Sequence, residues 1–372
     1  MLALALGGCN GATSFSAMAS DVGSVGGYFS RQKGDPLQVA MFVASTRKSA
    51  DGVAAFSLQT VSVPPGHKPG EIESPHFGAP DPRSDFAVLR SRSLDPEAFR
   101  AELASHISGR VGNSRDVLLY VHGFNTSLEE ARFRLAQIVA DGGFTGVPVL
   151  FAWKSKGELF AYESDKEAAT ASRDALERLI SDLSHTPGVG RVQVLAHSMG
   201  AWLTMEALRE NAIAGHPDLD GKLGSVMLAA PDIDLSVFRQ QVARLDASHV
   251  SVFVSHDDRA LSLSSRIAGS RQRLGAMDPS NPKDAAAIDA MGVHVYDLSL
   301  LRSGGWVGHD IYANAPEAVR QIGATLTRKR SDADVQAVID AGVTPITSPS
   351  PAVAAAAAAN TPIVGEALPP PK

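Results

Sequence analysis

A serine held between small residues carries the most chemistry in this chain. Val192-Gln-Val-Leu-Ala196-His197-Ser198-Met199-Gly200-Ala-Trp-Leu is a short apolar run, a turn and the start of a helical pattern. Small residues two before and two after a serine let a strand turn sharply into a helix, which lifts the hydroxyl above the sheet as a nucleophile. Ala196 stands where glycine is usual, and Gly200 fills the second place. Met199 opens the helix, where unpaired donors and the positive dipole end favour an anion. Its N–H is the first expected oxyanion donor. The plain alternative for Ser198 is a helix cap without chemistry.

Acyl transfer to such a serine needs a second oxyanion donor, a base and an acid. Asp116–Val121 runs into His122-Gly123-Phe124-Asn125-Thr126-Ser127. Gly123 lets the backbone turn towards a pocket, and the Phe124 N–H is the second expected donor. Ser127 with Glu130 fits a capping box. His122 reads as a structural histidine tying the loop down, and Asn125 as a turn residue or a group orienting the oxyanion loop.

In this arrangement the chain order is serine, acid, histidine. The later histidines are His216 in a polar loop, His249 at a strand start, His256 beside two acids, His294 within an apolar run, and His309. His309, in Gly304-Gly-Trp-Val-Gly308-His309-Asp310, follows the last strand-like run and is the expected general base. Asp258, after the run Val250–Val254, is the first choice of acid. Asp232, in Ala229-Ala230-Pro231-Asp232-Ile233-Asp234, and Asp257 are the alternatives. An aspartate not used this way commonly caps a helix or makes a turn.

These residues need a scaffold. Short apolar runs at Gln38–Ala44, Ala54–Val63, Val117–Val121, Val147–Phe151, Val192–Ala196, Val226–Ala230, Val250–Val254 and Val293–Tyr296 read as strands. Helical patterns cover Pro96–Ile107, Leu128–Ala140, Lys166–Leu183, Met199–Glu210 and Ala315–Thr327. Buried strands alternating with helices imply an α/β fold whose central sheet is mostly parallel and covered on both faces. Pro64–Pro82 holds six prolines and reads as a long surface loop. Between Phe151 and Val192 only Lys154–Tyr162 resembles a lid insertion, which points to small or accessible substrates.

The composition bounds the function classes. The 372 residues carry 34 basic and 40 acidic side chains, a formal charge of −6. That balance lacks the basic face of a nucleic-acid binder. One cysteine, Cys9, excludes a disulfide framework within the chain and a Cys-based zinc site. Leu6-Gly7-Gly8-Cys9 resembles a bacterial lipobox, in which the cysteine takes a lipid; no basic region precedes the apolar leader, and the true start is expected further upstream. The expected location is the cell envelope, periplasmic side, held to the membrane only through a lipid on Cys9. A cytoplasmic location follows if the leader is no signal. Residues 10–35, rich in Gly, Ser and Ala, read as a tether, residues 36–330 as one catalytic domain, and 331–372, with the run Ala354–Ala359, as a disordered tail. Ser45-Thr-Arg-Lys48 matches a penicillin-recognising motif but lacks its Lys-Thr-Gly partner and reads as chance. No phosphate-cradling loop and no metal-ligand spacing appears. Trp153 and Trp306 are candidates for pocket lining or for core packing.

Taken together, His122–Thr126, Val149-Leu-Phe-Ala-Trp153, Ala196–Gly200, Ala229–Asp234, Ser255–Leu261 and Gly308-His309 resemble the bacterial alpha/beta hydrolases of unknown function, an esterase/lipase-superfamily group. The resemblance runs from about residue 38 to 327. It implies an α/β-hydrolase fold and a Ser198–Asp258–His309 triad, and it brings no substrate. The expected activity is cofactor-free cleavage of a small-molecule carboxylic ester by an acyl-enzyme route. A catalytically weak tethered interaction module and an amide or peptide hydrolase remain the alternatives. The oligomeric state is not readable.

Overall fold

The computed structural model describes residues 34–327, apart from 50, 157–160, 259, 262–263, 266–270 and 302–308. Cys9, most of the expected tether, the tail, Trp306 and Gly308 lie outside the described residues, as does part of the lid-like segment 154–162.

Nine described strands form one sheet in the order β3-β2-β1-β5-β4-β6-β7-β8-β9. They are β1 (Leu37–Ser45), β2 (Ala55–Val63), β3 (Ala87–Leu94), β4 (Val117–Val121), β5 (Val147–Ala152), β6 (Val192–His197), β7 (Leu223–Ala229), β8 (Val250–Val254) and β9 (His294–Asp297). From β1 to β9 every neighbouring pair is parallel, while β1–β2 and β2–β3 are antiparallel. The mostly parallel α/β sheet expected from the pattern is the one observed. β3 carries no apolar run because its interior, Leu89–Ser93, is exposed at the sheet edge.

The helices are α1 (Pro96–Ile107), α2 (Leu128–Asp141), α3 (Tyr162–Ala171), α4 (Arg173–Ser184), α5 (Met199–Ile213), α6 (Leu235–Val242), α7 (Pro282–Met291), α8 (Ile311–Asn314) and α9 (Pro316–Thr327). Alternate β4 residues pack on opposite faces, as strand geometry requires. Val117, Leu119 and Val121 join the core beneath α1, α4 and α5, while Leu118 and Tyr120 join the core beneath α2 and α9. The helix expected over Lys166–Leu183 is two helices, α3 and α4. Ser172 breaks it: its hydroxyl donates to the Ala168 carbonyl at 2.8 Å and meets Thr46 Oγ1 at 2.8 Å. A buried cross-link to the loop after β1 thus competes with a continuous helix. Among the described residues no helix is long and apolar enough to cross a membrane.

The proline-rich loop is fastened to α2 by one histidine. His67 donates from Nδ1 to Glu73 at 2.8 Å and from Nε2 to Asp141 at 2.9 Å. Asp141 also accepts from the Gly70 N–H at 2.8 Å. Burial lowers the affinity of His67 for its proton, but the two carboxylates outweigh burial and raise its pKa above the ordinary 6.5. Burial pushes Asp141 up, yet its bonds from His67 and Gln137 leave it below the ordinary 3.8. Stabilisation by His67 is complete below pH 6.5 and is lost as pH rises through its raised pKa; that by Asp141 is present above pH 3.8 and lost as pH falls through its depressed one. His67→Gln should therefore lower the melting temperature most between about pH 4 and 6.5, by roughly 2–4 °C for each ~1 kcal/mol lost. The gap from the parent protein should narrow above that window. Melting curves taken across pH check this, and a gap that ignores pH would contradict it.

Candidate functional site

Ser198 sits between β6 and α5 with φ 53° and ψ −121°, a left-handed backbone that a residue with a Cβ rarely adopts. Neighbouring backbone holds it there. Its N–H donates to the Ala229 carbonyl at 3.0 Å, and its carbonyl accepts from the Ala201 N–H at 3.0 Å and the Asp232 N–H at 3.1 Å. The turn is possible only where flanking residues are small. Ala196 is fully buried and pairs with Val121 of β4 and Leu228 of β7. A Cβ on Gly200 would stand 2.3 Å from the His122 carbonyl oxygen and 2.7 Å from that of Val121. One on Gly123 would stand 2.7 Å from His197 Nδ1 and 3.0 Å from the Ser198 Cβ. The two glycines let α5 and the loop after β4 close on the serine from either side.

That loop is pinned from below and from the side. His122 is fully buried, stacks on Trp153 at 5.1 Å, and donates from Nδ1 to the Gly123 carbonyl at 2.9 Å. Burial pushes His122 down to about 4, so it is a neutral structural imidazole. Trp153 is equally buried and donates from Nε1 to the His122 carbonyl at 2.7 Å; it belongs to the core and lines no cavity at the site. Arg47, within the motif read as chance, donates to the carbonyls of Thr126 (3.1 Å), Trp153 (3.0 Å) and Ser155 (2.6 Å). Asn125 holds the turn at φ 54° and lines the cavity. Ser127 and Glu130 form the expected capping box, at 3.1 and 2.7 Å. Phe124 packs edge-on against Tyr162 at 5.5 Å. Met199, the first residue of α5, has no intrahelical acceptor for its N–H.

Of the three candidate acids, only Asp258 meets His309. The His309 Nδ1–H donates to Asp258 Oδ2 at 2.6 Å, while Asp258 Oδ1 accepts from the N–H groups of Ala260 (2.9 Å) and Leu261 (3.0 Å). Asp258 is 0% exposed. Burial lowers the pKa of His309, but the bond and charge of Asp258 outweigh it, and the net shift is upward from 6.5. Asp257, named as an alternative, lies away from His309: its side chain is 76% exposed and faces His256 at 3.5 Å. Asp232, the other alternative, lines the same cavity as Ser198 and His309 but is hydrogen-bonded elsewhere. It is buried, yet its carboxylate is taken by the Tyr162 hydroxyl (2.8 Å), the Ser264 hydroxyl (2.6 Å) and Arg273 Nε (3.1 Å). The other histidines lie elsewhere: His216 on Asp220, His249 on the Gly224 carbonyl, His294 in β9.

Ser198, His309, Phe124 and Asn125 line one cavity of about 550 Å³ at the carboxyl ends of the parallel strands. Ile72 and Ser74 of the proline-rich loop, Tyr162 and Leu261 add to its wall. His197 was not singled out from sequence despite its place beside the serine. Its Nε2–H donates to the His309 carbonyl at 3.2 Å, and its ring lies 4.6 Å from those of His309 and Tyr312. Burial, with the adjacent His309 charge, pushes it down to about 3, so it stays neutral. Tyr162, Ser264 and Arg273 had no sequence signal, because Asp232 gathers them from distant segments. Among the described residues no cluster of His, Cys, Asp or Glu is arranged to hold a metal ion.

Residues 95–330 match the family described as alpha/beta hydrolase of unknown function (DUF900). No curated protein matches the chain. Similar solved structures include an esterase from Pyrobaculum calidifontis, 16% identical with a TM-score of 0.37, covering 59% of this chain and 78% of that one. A predicted CIB-like hydrolase from Thermoplasma acidophilum is 11% identical with a TM-score of 0.36, covering 78% of this chain and 99% of that one.

The close approach at Gly200 has a measurable cost. Gly200→Ala should destabilise the fold by about 1–3 kcal/mol, since backbone must move to admit the methyl group. Gly66→Ala, with nothing within 4 Å of its added Cβ, should fall within about 0.5 kcal/mol of the parent protein. Urea unfolding of the two variants compares them directly.

Proposed function

Because the chain belongs to the alpha/beta hydrolases of unknown function (DUF900), we propose that it is a serine hydrolase cleaving carboxylic esters through an acyl-enzyme. One observation carries the reading: a serine in a left-handed strand-to-helix turn shares a cavity with a histidine hydrogen-bonded to a fully buried aspartate. Asp258 holds the His309 Nδ1–H, which leaves the lone pair on Nε2. Ser198 Oγ attacks the ester carbonyl carbon while its proton passes to His309 Nε2. The oxyanion that forms is held by the N–H groups of Met199 and Phe124. As it collapses, the bond to the alkoxy oxygen breaks and His309 returns the proton to the departing alcohol. Water then attacks the acyl-enzyme as His309 takes its proton; collapse breaks the acyl–Oγ bond, His309 returns the proton to Ser198 Oγ, and the acid leaves.

The Asp258–His309 pair favours an active enzyme over a tethered interaction module, since a buried charge held on an imidazole is costly to maintain without use. An amide substrate would engage the same groups, and matched ester and amide substrates separate the two activities.

A fluorophosphonate probe should label the parent protein and leave Ser198→Ala unlabelled; an unlabelled parent protein would end the hydrolase reading. His309 must be neutral to accept a proton, and its pKa is raised. kcat/KM should therefore climb with pH to a plateau, with a midpoint above 6.5. Asp258→Asn should lower kcat by about 10³–10⁴ and move that midpoint down, as measured in a pH–rate profile.

A further inference from the structure

Beside the main cavity lies a second one, of about 350 Å³, that shares Tyr162 and Asp232 with it. Its wall includes Met199, whose N–H is assigned to the oxyanion, together with Trp202 and Arg273. A substrate with its carbonyl at Ser198 therefore has two directions in which to extend.

Arg273 has an unusual environment. It is 5% exposed, and among the described residues its charged contact is Asp232 Oδ1, 3.1 Å from Nε. Nη2 is buried and has no hydrogen-bond partner among the described residues, and the Nε contact to Asp232 lacks hydrogen-bond geometry. Asp232 does not need more from the arginine, because the Tyr162 and Ser264 hydroxyls already donate to it. The position is also rigid. The segment around Arg273 is zipped to the loop after β7: the Leu274 N–H donates to the Ile233 carbonyl at 2.9 Å, the Gly275 N–H to the Pro231 carbonyl at 3.0 Å, and Asp234 pairs with Arg273 in an antiparallel bridge. A guanidinium has a planar fork of donors suited to one planar anion, and a buried donor left unmet costs about 1–3 kcal/mol. The chain maintains that cost in the wall of a cavity beside the nucleophile.

We propose that the second cavity is a carboxylate subsite, and that the substrates are esters bearing a free carboxylate a few bonds from the scissile carbonyl, such as half-esters of short dicarboxylic acids. Arg273 receives the carboxylate, Asp232 holds the Arg273 side chain in place, and Tyr162 stands between the subsite and Ser198. The charged group would anchor one end, on the buried Arg273 among the exposed charges of Glu163, Lys166 and Arg271 that also line this cavity, while the ester end reaches the serine.

The catalytic arm of the test rests on the ester-hydrolase reading, and the binding arm does not. Calorimetry on Ser198→Ala should show monomethyl glutarate binding about tenfold or more tighter than dimethyl glutarate, the margin a charge-assisted pair brings. Introducing Arg273→Lys into that protein should abolish most of the difference, because a point charge does not replace the fork. In the active enzyme, the ratio of kcat/KM for mono-4-nitrophenyl glutarate over 4-nitrophenyl pentanoate should fall about tenfold on Arg273→Lys, and likewise in the charge-matched pair Asp232→Asn with Arg273→Gln if the single variant does not fold. Equal binding of the two glutarates, or a preference that survives both variants, would overturn the subsite. Binding without turnover of any ester would keep the subsite and remove the esterase reading.

Discussion

The site depends on one backbone constraint, the left-handed conformation of Ser198. A residue with a Cβ held there costs of order 1–3 kcal/mol, so the surroundings must over-determine it. They do so through three backbone hydrogen bonds and through two glycines that remove the side chains which would keep α5 and the β4 loop apart. The same packing that forces the strain also sets the start of α5, at Met199, and the loop after β4 close against the serine. Positioning and strain are thus one feature of the fold. The parallel sheet supplies the rest: β4, β6 and β7 are adjacent, so their carboxyl ends, and the loops that leave them, meet at one point.

Three imidazoles within this small volume, His122 and His197 buried and His309 part-buried, are given different protonation by their surroundings. His309 has a carboxylate on Nδ1 and is raised. His197 and His122 bond only to carbonyl oxygens, and burial drives both down. A cation on His197 would repel one on His309, whose ring lies 4.6 Å away. Its neutrality lets it brace the His309 backbone at no electrostatic cost.

Much of this was legible in the residues, for identifiable reasons. The turn around Ser198 and the loop from His122 to Ser127 are local, and their small residues and capping groups are written consecutively in the chain. The strands are short apolar runs because both faces of the sheet are covered. What escaped was set by distant partners. α3 and α4 read as one helix because the hydroxyl of Thr46, which meets Ser172, is 126 residues away. β3 lacked a signal because solvent covers its interior residues. The choice among Asp232, Asp257 and Asp258 could not be made from spacing, since all three follow strands. In the fold Arg273, Tyr162 and Ser264 occupy Asp232, solvent surrounds Asp257, and Asp258 meets His309.

Arg47 extends this dependence to a residue outside the site. One planar cation on the loop after β1 ties together carbonyls from the oxyanion loop and from the segment after β5. The loop after β4 is therefore stiffened by strands that lie outside the cavity. A sideways slip of β1 would be transmitted through one guanidinium to the loop after β4, on the other side of β5 from the antiparallel edge where it began.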